Sequence, residues 1–106
     1  MQARPARGQV YRADIGFGAK PWLVVSNNRR NTALSDLLAV RITTTTKHAN
    51  LPTWIPLSAA DPLTGWIVCD DLQQLTKDEL TDHLGALSPA TIIRVNTGLR
   101  IALAIP

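Results

Sequence analysis

The sequence is poor in the residues that cross-link small proteins or hold their metal ions. It contains one cysteine, Cys69, and two histidines among 106 residues. A single cysteine cannot form an intramolecular disulfide, and the histidines and the cysteine do not show the spacing of a zinc motif. We therefore expect no disulfide, no bound metal and no cofactor, and a Cys69 thiol that is buried and unreactive.

Long apolar runs are also missing. No stretch approaches the roughly 20 consecutive apolar residues that a membrane-spanning helix needs. The first residues, MQARPARG, lack the apolar segment of a signal peptide. These features predict a cytoplasmic protein without a membrane association, and the length fits a single domain over residues 1–106.

Charge is distributed unevenly along the chain. The net charge is +3, but residues 1–50 hold eight Lys or Arg against two acids, whereas residues 51–106 hold three against six. A basic surface of this kind suits a polyanionic partner, although solvated surface charge gives similar counts in many proteins.

The first three quarters of the sequence have the pattern of short strands. Alternation or β-branched enrichment predicts strands at residues 8–15, 22–26, 37–46, 51–57 and 66–72. Gly16 and Gly18 predict a tight turn, Pro21 opens a strand or lies at an edge, and residues 27–36 have the composition of a loop. Five short strands predict a mainly β fold with a small, strongly bent antiparallel sheet or barrel.

The last third changes to a helical pattern. Thr76 and Glu79 have the spacing of a capping box, which predicts a short helix that contains His83 and ends at Gly85. Ser88 and Pro89 predict the start of a C-terminal helix. Its apolar stripe is expected to pack on the sheet and consists of Ile92, Val95, Leu99 and Leu103.

Six segments, in this order, carry a family resemblance: RGQVYRADIG, KPWLVVSNN, AVRITTTT, NLPTW, IVCDDLQQLTKDEL and LGALSPATIIRVNTGLRIAL. The chain resembles the MazF/PemK ribonuclease toxins of bacterial toxin–antitoxin modules over residues 7–104. The resemblance implies an SH3-like bent barrel with a short helix and a C-terminal helix. It also implies a homodimer, a cognate antitoxin whose acidic tail occupies the RNA groove, and sequence-selective, metal-independent cleavage of messenger or transfer RNA.

The resemblance places the catalytic site at Lys20 and Thr43. In the family an Arg-Pro pair opens the second strand, and this chain has Lys20-Pro21 instead. A fixed cation stabilises the charge that builds on the phosphoryl oxygens when a ribose 2′-hydroxyl attacks phosphorus. Lysine supplies that charge without the two-pronged guanidinium contact, while the Thr43 hydroxyl can donate to the phosphate or to the departing 5′-oxygen.

Further residues are candidates for contact with RNA. Arg12, Arg41 and Lys47 are candidate phosphate contacts, and Phe17 and Trp54 are candidate stacking platforms. His48 follows the threonine run and is a candidate proton carrier, although an exposed loop histidine is the more ordinary interpretation.

The loop between the first two strands is shorter than is usual in the family, since residues 15–20 alone connect them. A short loop leaves the groove open to a folded substrate such as a transfer-RNA loop. Two other functions fit the sequence: a non-catalytic toxin that binds a protein partner, as the similarly folded CcdB toxins do, and an RNA-binding module without cleavage.

Overall fold

The computed structural model of the protein describes residues 4–106. Six strands, two helices and one 3₁₀ turn make up the fold. In chain order they are β1 (Gln9–Asp14), β2 (Ala19–Val24), α1 (Asn28–Ala33), β3 (Asp36–Thr43), β4 (Trp54–Pro56), β5 (Trp66–Thr76), the 3₁₀ turn (Lys77–Glu79), β6 (Leu80–Ala86) and α2 (Pro89–Leu103).

The strands form one antiparallel sheet in the order β4-β5-β3-β2-β1-β6. The mainly β fold with added helices is therefore confirmed. In the described part of the chain β4 and β6 are edge strands that do not pair with each other, so the sheet is bent without closing into a full barrel.

The bend brings the two edges of the sheet together through the loop between β4 and β5. Asp61 of this loop accepts hydrogen bonds from the Ser88 N–H and the Thr91 hydroxyl, both at 2.7 Å, just beyond β6. Pro62 packs so closely on Gly85 of β6 that a Cβ at residue 85 would lie 2.8 Å from it. Contacts of the β4–β5 loop therefore connect the two edges of the sheet, which are not joined by backbone pairing.

Apolar side chains cover both faces of the sheet. The core beneath α2 contains Val10, Leu23, Val40, Ile42, Ile55, Ile67, Cys69, Leu87 and Val95. The core on the other face contains Tyr11, Ala13, Trp22, Val24, Leu37, Ala39, Leu75 and Leu80. Because the second half of β2, residues 22–24, is buried on both faces, its sequence there is a continuous apolar run rather than an alternating one.

Helix α2 begins as the sequence predicts. The Ser88 side chain accepts a hydrogen bond from the Thr91 N–H, and Pro89 takes the first helical position. Val95 is fully buried, but Leu103 is 48% exposed, so the predicted stripe does not extend to the helix end. No helix within residues 4–106 is long and apolar enough to cross a membrane.

Cys69 lies under α2 and is 1% exposed, as expected. Burial, with a further contribution from the charge of Asp70, raises the pKa of its thiol to about 12. The thiol is therefore protonated at neutral pH and unreactive.

The prediction of a short helix after Thr76 is wrong. The Thr76 N–H does donate to the Glu79 carboxylate at 2.8 Å, but this motif starts only one 3₁₀ turn. The chain then pairs with the free edge of β1 as β6, which includes Gly85. Backbone pairing with the otherwise open edge of β1 outweighs the local helical signal. His83, which lies on β6, stacks on Tyr11 of β1 with the ring centroids 4.9 Å apart.

Residues 27–36 are not entirely a loop, contrary to the sequence prediction. They contain the six-residue α1, whose N-cap residue Asn27 accepts a hydrogen bond from the Arg30 N–H at 2.9 Å. A helix this short has too few positions to show an apolar stripe, so only its cap residue could have signalled it.

Asp61 makes fold stability sensitive to acid. Burial alone would raise the pKa of its carboxyl, but hydrogen bonds from Ser58, Ser88 and Thr91 outweigh burial and lower the pKa from 3.8 to about 2. The unfolded state then binds more protons, so this stabilisation is present above pH ~4 and is lost as the pH falls towards 2. We expect Asp61→Ala to lower the free energy of unfolding at pH 7 by about 1–3 kcal/mol in urea titrations.

The same titrations at pH 4 and pH 2 separate this effect from general acid sensitivity. The wild type should lose more stability between the two values than Asp61→Ala does. Asp82→Ala, which removes an exposed carboxylate, is the control and should follow the wild type. Parallel pH curves for the wild type and Asp61→Ala would contradict the role given to Asp61.

Candidate active site

Lys20 and Thr43 face each other where β2 and β3 separate. The two strands pair at Trp22–Arg41, Leu23–Val40 and Val24–Ala39. Continuing this register places Lys20 opposite Thr43, two positions beyond the last pair. Pro21 has no N–H to donate between strands, which favours separation at this point.

The separated strands line a cleft of about 280 Å³. Its lining residues are Lys20, Pro21, Arg41, Ile42, Thr43, Thr44 and Thr64. The structure thus brings together the two residues expected to be catalytic, and it adds Arg41, a candidate phosphate contact. Two cations beside a hydroxyl make the cleft suited to an anion.

Within the described residues 4–106, the Thr43 hydroxyl donates no hydrogen bond, so its proton is available to a ligand in the cleft that Thr43 lines. Its oxygen accepts from the Thr45 N–H at 3.3 Å, and this bond uses a lone pair rather than the hydroxyl proton. Thr43 is half-buried at the end of β3, whereas Lys20 is solvent-exposed. The cleft therefore has one restrained donor and one accessible charge.

Gly65 fixes the backbone of Thr43. It adopts a φ of +124°, and a Cβ at this position would overlap the Thr43 carbonyl oxygen. The neighbouring Trp66 pairs with Thr43 at the start of β5. This contact is not predictable from the sequence, because a glycine in a turn does not reveal which backbone it approaches.

Arg41 is held at the cleft by an ion pair. Its Nε donates to Oδ2 of Asp71 at 2.7 Å, and both side chains are about one-third exposed. The sequence analysis identified Arg41 but not its partner, since the two lie 30 residues apart in the chain.

Arg12 lies in a second cavity, of about 540 Å³, that adjoins the cleft. The two cavities share the lining residues Pro21, Thr44 and Thr64, and we call the two together the groove. Arg12 is half-exposed, with its Nε 3.7 Å from a carboxylate oxygen of Asp82. Such a loose, exposed pair leaves the guanidinium accessible to a phosphate.

Phe17 projects into solvent from the turn between β1 and β2. The Asp14 carboxylate accepts from the Gly16 and Gly18 N–H groups at 2.8 and 3.2 Å. Both glycines have a positive φ, which confirms the tight turn, and Phe17 is 80% exposed. Its ring is thus largely accessible to solvent, as a stacking platform requires.

The other candidate residues lie in the loop between β3 and β4 or just after it. Lys47 and His48 are exposed. Trp54 is only 6% exposed, and His48 packs against its ring with centroids 5.7 Å apart. Trp54 therefore has no free face for a base here, contrary to the expected stacking role, and instead supports His48.

The fold and the groove define a class: a small antiparallel-sheet protein with a cationic, hydroxyl-bearing cleft between two diverging strands. Among residues 4–106, no three His, Cys, Asp or Glu side chains lie close enough together to hold a metal ion. The cations of this cleft are supplied by side chains.

Comparison with known proteins gives the family. The model of the PemK-like, MazF-like toxins of type II toxin–antitoxin systems matches residues 6–103, and the chain belongs to this family. It is 53% identical over 102 residues to endoribonuclease MazF1 of Mycobacterium bovis and to endoribonuclease MazF4 of Mycobacterium tuberculosis. The match covers 96% of this chain and 95% of each relative.

Solved structures agree. A mycobacterial endoribonuclease in complex with its cognate antitoxin superposes with a TM-score of 0.92 at 53% identity, covering 96% of this chain and 97% of that one. The MazE–MazF complex of Deinococcus radiodurans superposes with a TM-score of 0.83 at 20% identity, covering 98% and 99% of the two chains, and shows the shared fold.

The contact between Gly65 and Thr43 gives a testable consequence. Gly65→Ala should displace the end of β3, lowering both the melting temperature and RNA cleavage, because the added Cβ meets backbone that cannot rotate away. Gly16→Ala is the matched control, since Gly16 also has a positive φ but no neighbour within 4 Å of an added Cβ. Thermal melts of both variants should show the larger loss in Gly65→Ala. Equal losses would mean that backbone conformation alone, and not the contact with Thr43, explains the effect.

Proposed function

We propose that this protein, an endoribonuclease toxin of the MazF type, cuts single-stranded RNA in the cleft between β2 and β3 without a metal ion or cofactor. The observation that carries the proposal is the register of these strands, which places Lys20 opposite Thr43 beyond their last pair.

The chemistry uses the 2′-hydroxyl of the RNA itself. Its oxygen forms a bond to phosphorus while the bond from phosphorus to the 5′-oxygen breaks. The products are a cyclic 2′,3′-phosphate and a 5′-hydroxyl. One proton leaves the 2′-oxygen and one is delivered to the 5′-oxygen.

Lys20 and Thr43 act on the charge that develops in this step. The Lys20 ammonium is placed to stabilise the non-bridging phosphoryl oxygens, where negative charge is greatest in the transition state. The Thr43 hydroxyl donates to the same phosphate or to the departing 5′-oxygen. His48 is the candidate proton carrier, because an imidazole nitrogen can accept or donate a proton.

RNA on either side of the scissile phosphate lies along the groove in this proposal. Arg12 and Arg41 contact phosphates, Lys47 adds charge from the β3–β4 loop, and Phe17 stacks on an unpaired base. Trp54 contributes indirectly through its contact with His48.

The cellular setting follows from the family. The structural relative with its cognate antitoxin supports an antitoxin partner for this chain. An acidic antitoxin segment would compete with RNA for the basic half of the chain, where charge is +6 over residues 1–50. We place the active toxin in the cytoplasm as a homodimer, where cleavage of RNA arrests translation and growth.

Lys20 provides the test of the proposed site. Lys20→Ala should reduce cleavage by about 100-fold or more, because it removes a charge that acts mainly in the transition state. Lys20→Arg should retain part of the activity, since charge is kept. Cleavage of a long single-stranded transcript, followed by mapping of RNA 5′ ends, measures both, and melting temperatures check that the exposed substitution leaves the fold intact.

Parallel reactions contain EDTA. Cleavage that persists in EDTA supports the metal-free mechanism, and cleavage that stops and returns with Mg²⁺ would refute it. A Lys20→Ala protein that cuts as well as the wild type would move the site elsewhere. A wild-type protein that binds RNA but never cuts it would favour a non-catalytic binding module.

Phe17 provides a test of substrate choice. A base splayed from a hairpin loop can stack on Phe17 while its phosphate reaches the cleft, whereas a paired stem presents no free base face. We expect faster cleavage of a transfer-RNA anticodon stem-loop than of a linear oligonucleotide with the same loop sequence. Phe17→Ala should reduce that preference.

The control for Phe17→Ala is Leu34→Ala, which also removes an exposed apolar side chain, 44% exposed, but from the end of α1. It should keep the hairpin preference. Equal rates on the hairpin and the linear RNA in the wild type would leave linear messenger RNA as the better substrate class.

A further inference from the structure

We propose that Arg41 supplies to the scissile phosphate the guanidinium contact that Lys20 cannot make, and that Asp71, itself held by Gln73, is the residue that positions Arg41. The inference rests on the proposed function of the cleft. It assigns Arg41 a catalytic role and gives Asp71 and Gln73 positioning roles.

An irregularity in the sheet brings Asp71 beside the cleft. Val40 of β3 pairs with Leu72 of β5, but the next residue, Arg41, pairs with Val68. Cys69, Asp70 and Asp71 are therefore extra residues of β5 without partner positions in β3. Such bulges re-aim side chains, and they are common next to active sites.

The hydrogen bonds hold Arg41 through Nε, which leaves its two terminal nitrogens available to a ligand. Arg41 donates to Asp71 Oδ2 through Nε at 2.7 Å, and Gln73 Nε2 donates to Asp71 Oδ1 at 3.0 Å. Both oxygens of the carboxylate are thus engaged, and its orientation is fixed. Within residues 4–106, no group accepts a hydrogen bond from Nη1 or Nη2 of Arg41. Those two nitrogens form the fork that contacts a phosphate through two parallel bonds.

The position of Arg41 suits the same phosphate that Lys20 reaches. Arg41 lines the cleft together with Lys20 and Thr43, and it stands opposite Trp22 at the last pair before the strands separate. The cation that lysine supplies at position 20 has no fork, and Arg41 restores one from the neighbouring strand. The Lys20 ammonium thus supplies charge to the phosphate, and the Arg41 guanidinium adds a contact of two parallel hydrogen bonds.

A carboxylate beside an arginine can also have the opposite effect. If Asp71 merely neutralised Arg41, its removal would free the guanidinium and speed cleavage. If Asp71 positions Arg41, its removal slows cleavage, and it does so only while Arg41 is present. The two roles therefore predict opposite changes in the cleavage rate when Asp71 is removed.

The experiment is a double-mutant cycle on the full chain. The variants are Arg41→Ala, Arg41→Lys, Asp71→Asn and the double variant Arg41→Ala/Asp71→Asn. The substrate is an RNA oligonucleotide that carries a cleavage step mapped with the wild type. Single-turnover rates at saturating protein measure the chemical step, and the dissociation constant is measured with the same oligonucleotide carrying 2′-deoxyribose at the scissile nucleotide, which cannot be cut.

We expect Arg41→Ala to slow the step by about 100-fold and Arg41→Lys to recover only part of the loss. Asp71→Asn should slow it by roughly tenfold, with a smaller change in the dissociation constant, because the contact strengthens in the transition state. The double variant should be no slower than Arg41→Ala, since Asp71 acts through Arg41.

The ion pair between Arg30 and Asp36 supplies the matched control. Its N–O distance is also 2.7 Å and its exposure is similar, but Asp36 lies at the opposite end of β3 from the cleft. Asp36→Asn should leave the rate within about twofold of wild type, as expected for a surface pair remote from the chemistry. Melting temperatures of Asp71→Asn and Asp36→Asn show whether the two losses of an ion pair affect the fold equally.

Three results would overturn the inference: a faster Asp71→Asn protein, an Arg41→Ala protein that cuts at the wild-type rate, or a double variant whose loss is the product of the single losses. Lys20→Ala in the same assay separates the inference from the proposed function. If Lys20→Ala is inactive and Arg41→Ala is not, the inference alone fails. If Lys20→Ala remains active while the Arg41 and Asp71 results appear as expected, the role of Lys20 fails and Arg41 retains its role.

Discussion

The separation of β2 from β3 beyond the Trp22–Arg41 pair is the constraint on which the candidate site depends. Backbone pairing up to that point fixes the relative position of the two strands. Where that pairing ends, the strands open a cleft of about 280 Å³. Two side chains that would face each other across a continuous sheet, Lys20 and Thr43, instead face each other across a cleft.

The structure supports the end of β3 at two points on its β5 side. Gly65 approaches the Thr43 backbone at the point where β5 begins, and the irregularity in β5 delivers Asp71 to Arg41. By contrast, the start of β2 carries an exposed Lys20 and follows a turn with two glycines of positive φ. The site therefore combines a well-supported wall with a wall that is open to solvent. In the proposed function, such an arrangement admits a flexible RNA strand while the hydrogen-bond donors on β3 stay in place.

The sequence predicts the strands and the start of α2 well, because β-branched runs, glycine turns and the Ser88-Pro89 cap are local signals. The prediction is wrong at residues 80–86, where the Thr76–Glu79 motif indicates a helix but the chain pairs as a strand with the open edge of β1. Pairing between distant segments cannot be read from local spacing. α1 was missed because six residues are too few to show periodicity.

The candidate site likewise combines features that local sequence signals indicate with features that depend on distant segments. The placement of Lys20 and Thr43 beside one cleft agrees with the family resemblance, while their catalytic roles stay a prediction. Phe17 is exposed between two glycines, as the sequence indicates. The burial of Trp54 was not predictable, because a tryptophan in a short strand has the same local pattern whether its ring faces the core or the solvent. The partnership of Arg41 with Asp71 depends on extra residues in β5 that appear only when the sheet register is known.

A crystal structure of the wild-type protein with an uncleavable RNA, carrying 2′-deoxyribose at the scissile nucleotide, tests the central claim most directly. The account predicts that the scissile phosphate lies in the cleft between β2 and β3, within hydrogen-bond distance of Lys20 Nζ and Thr43 Oγ1. A phosphate bound elsewhere, for instance along the loop of Lys47 and His48 with the cleft empty, would contradict it.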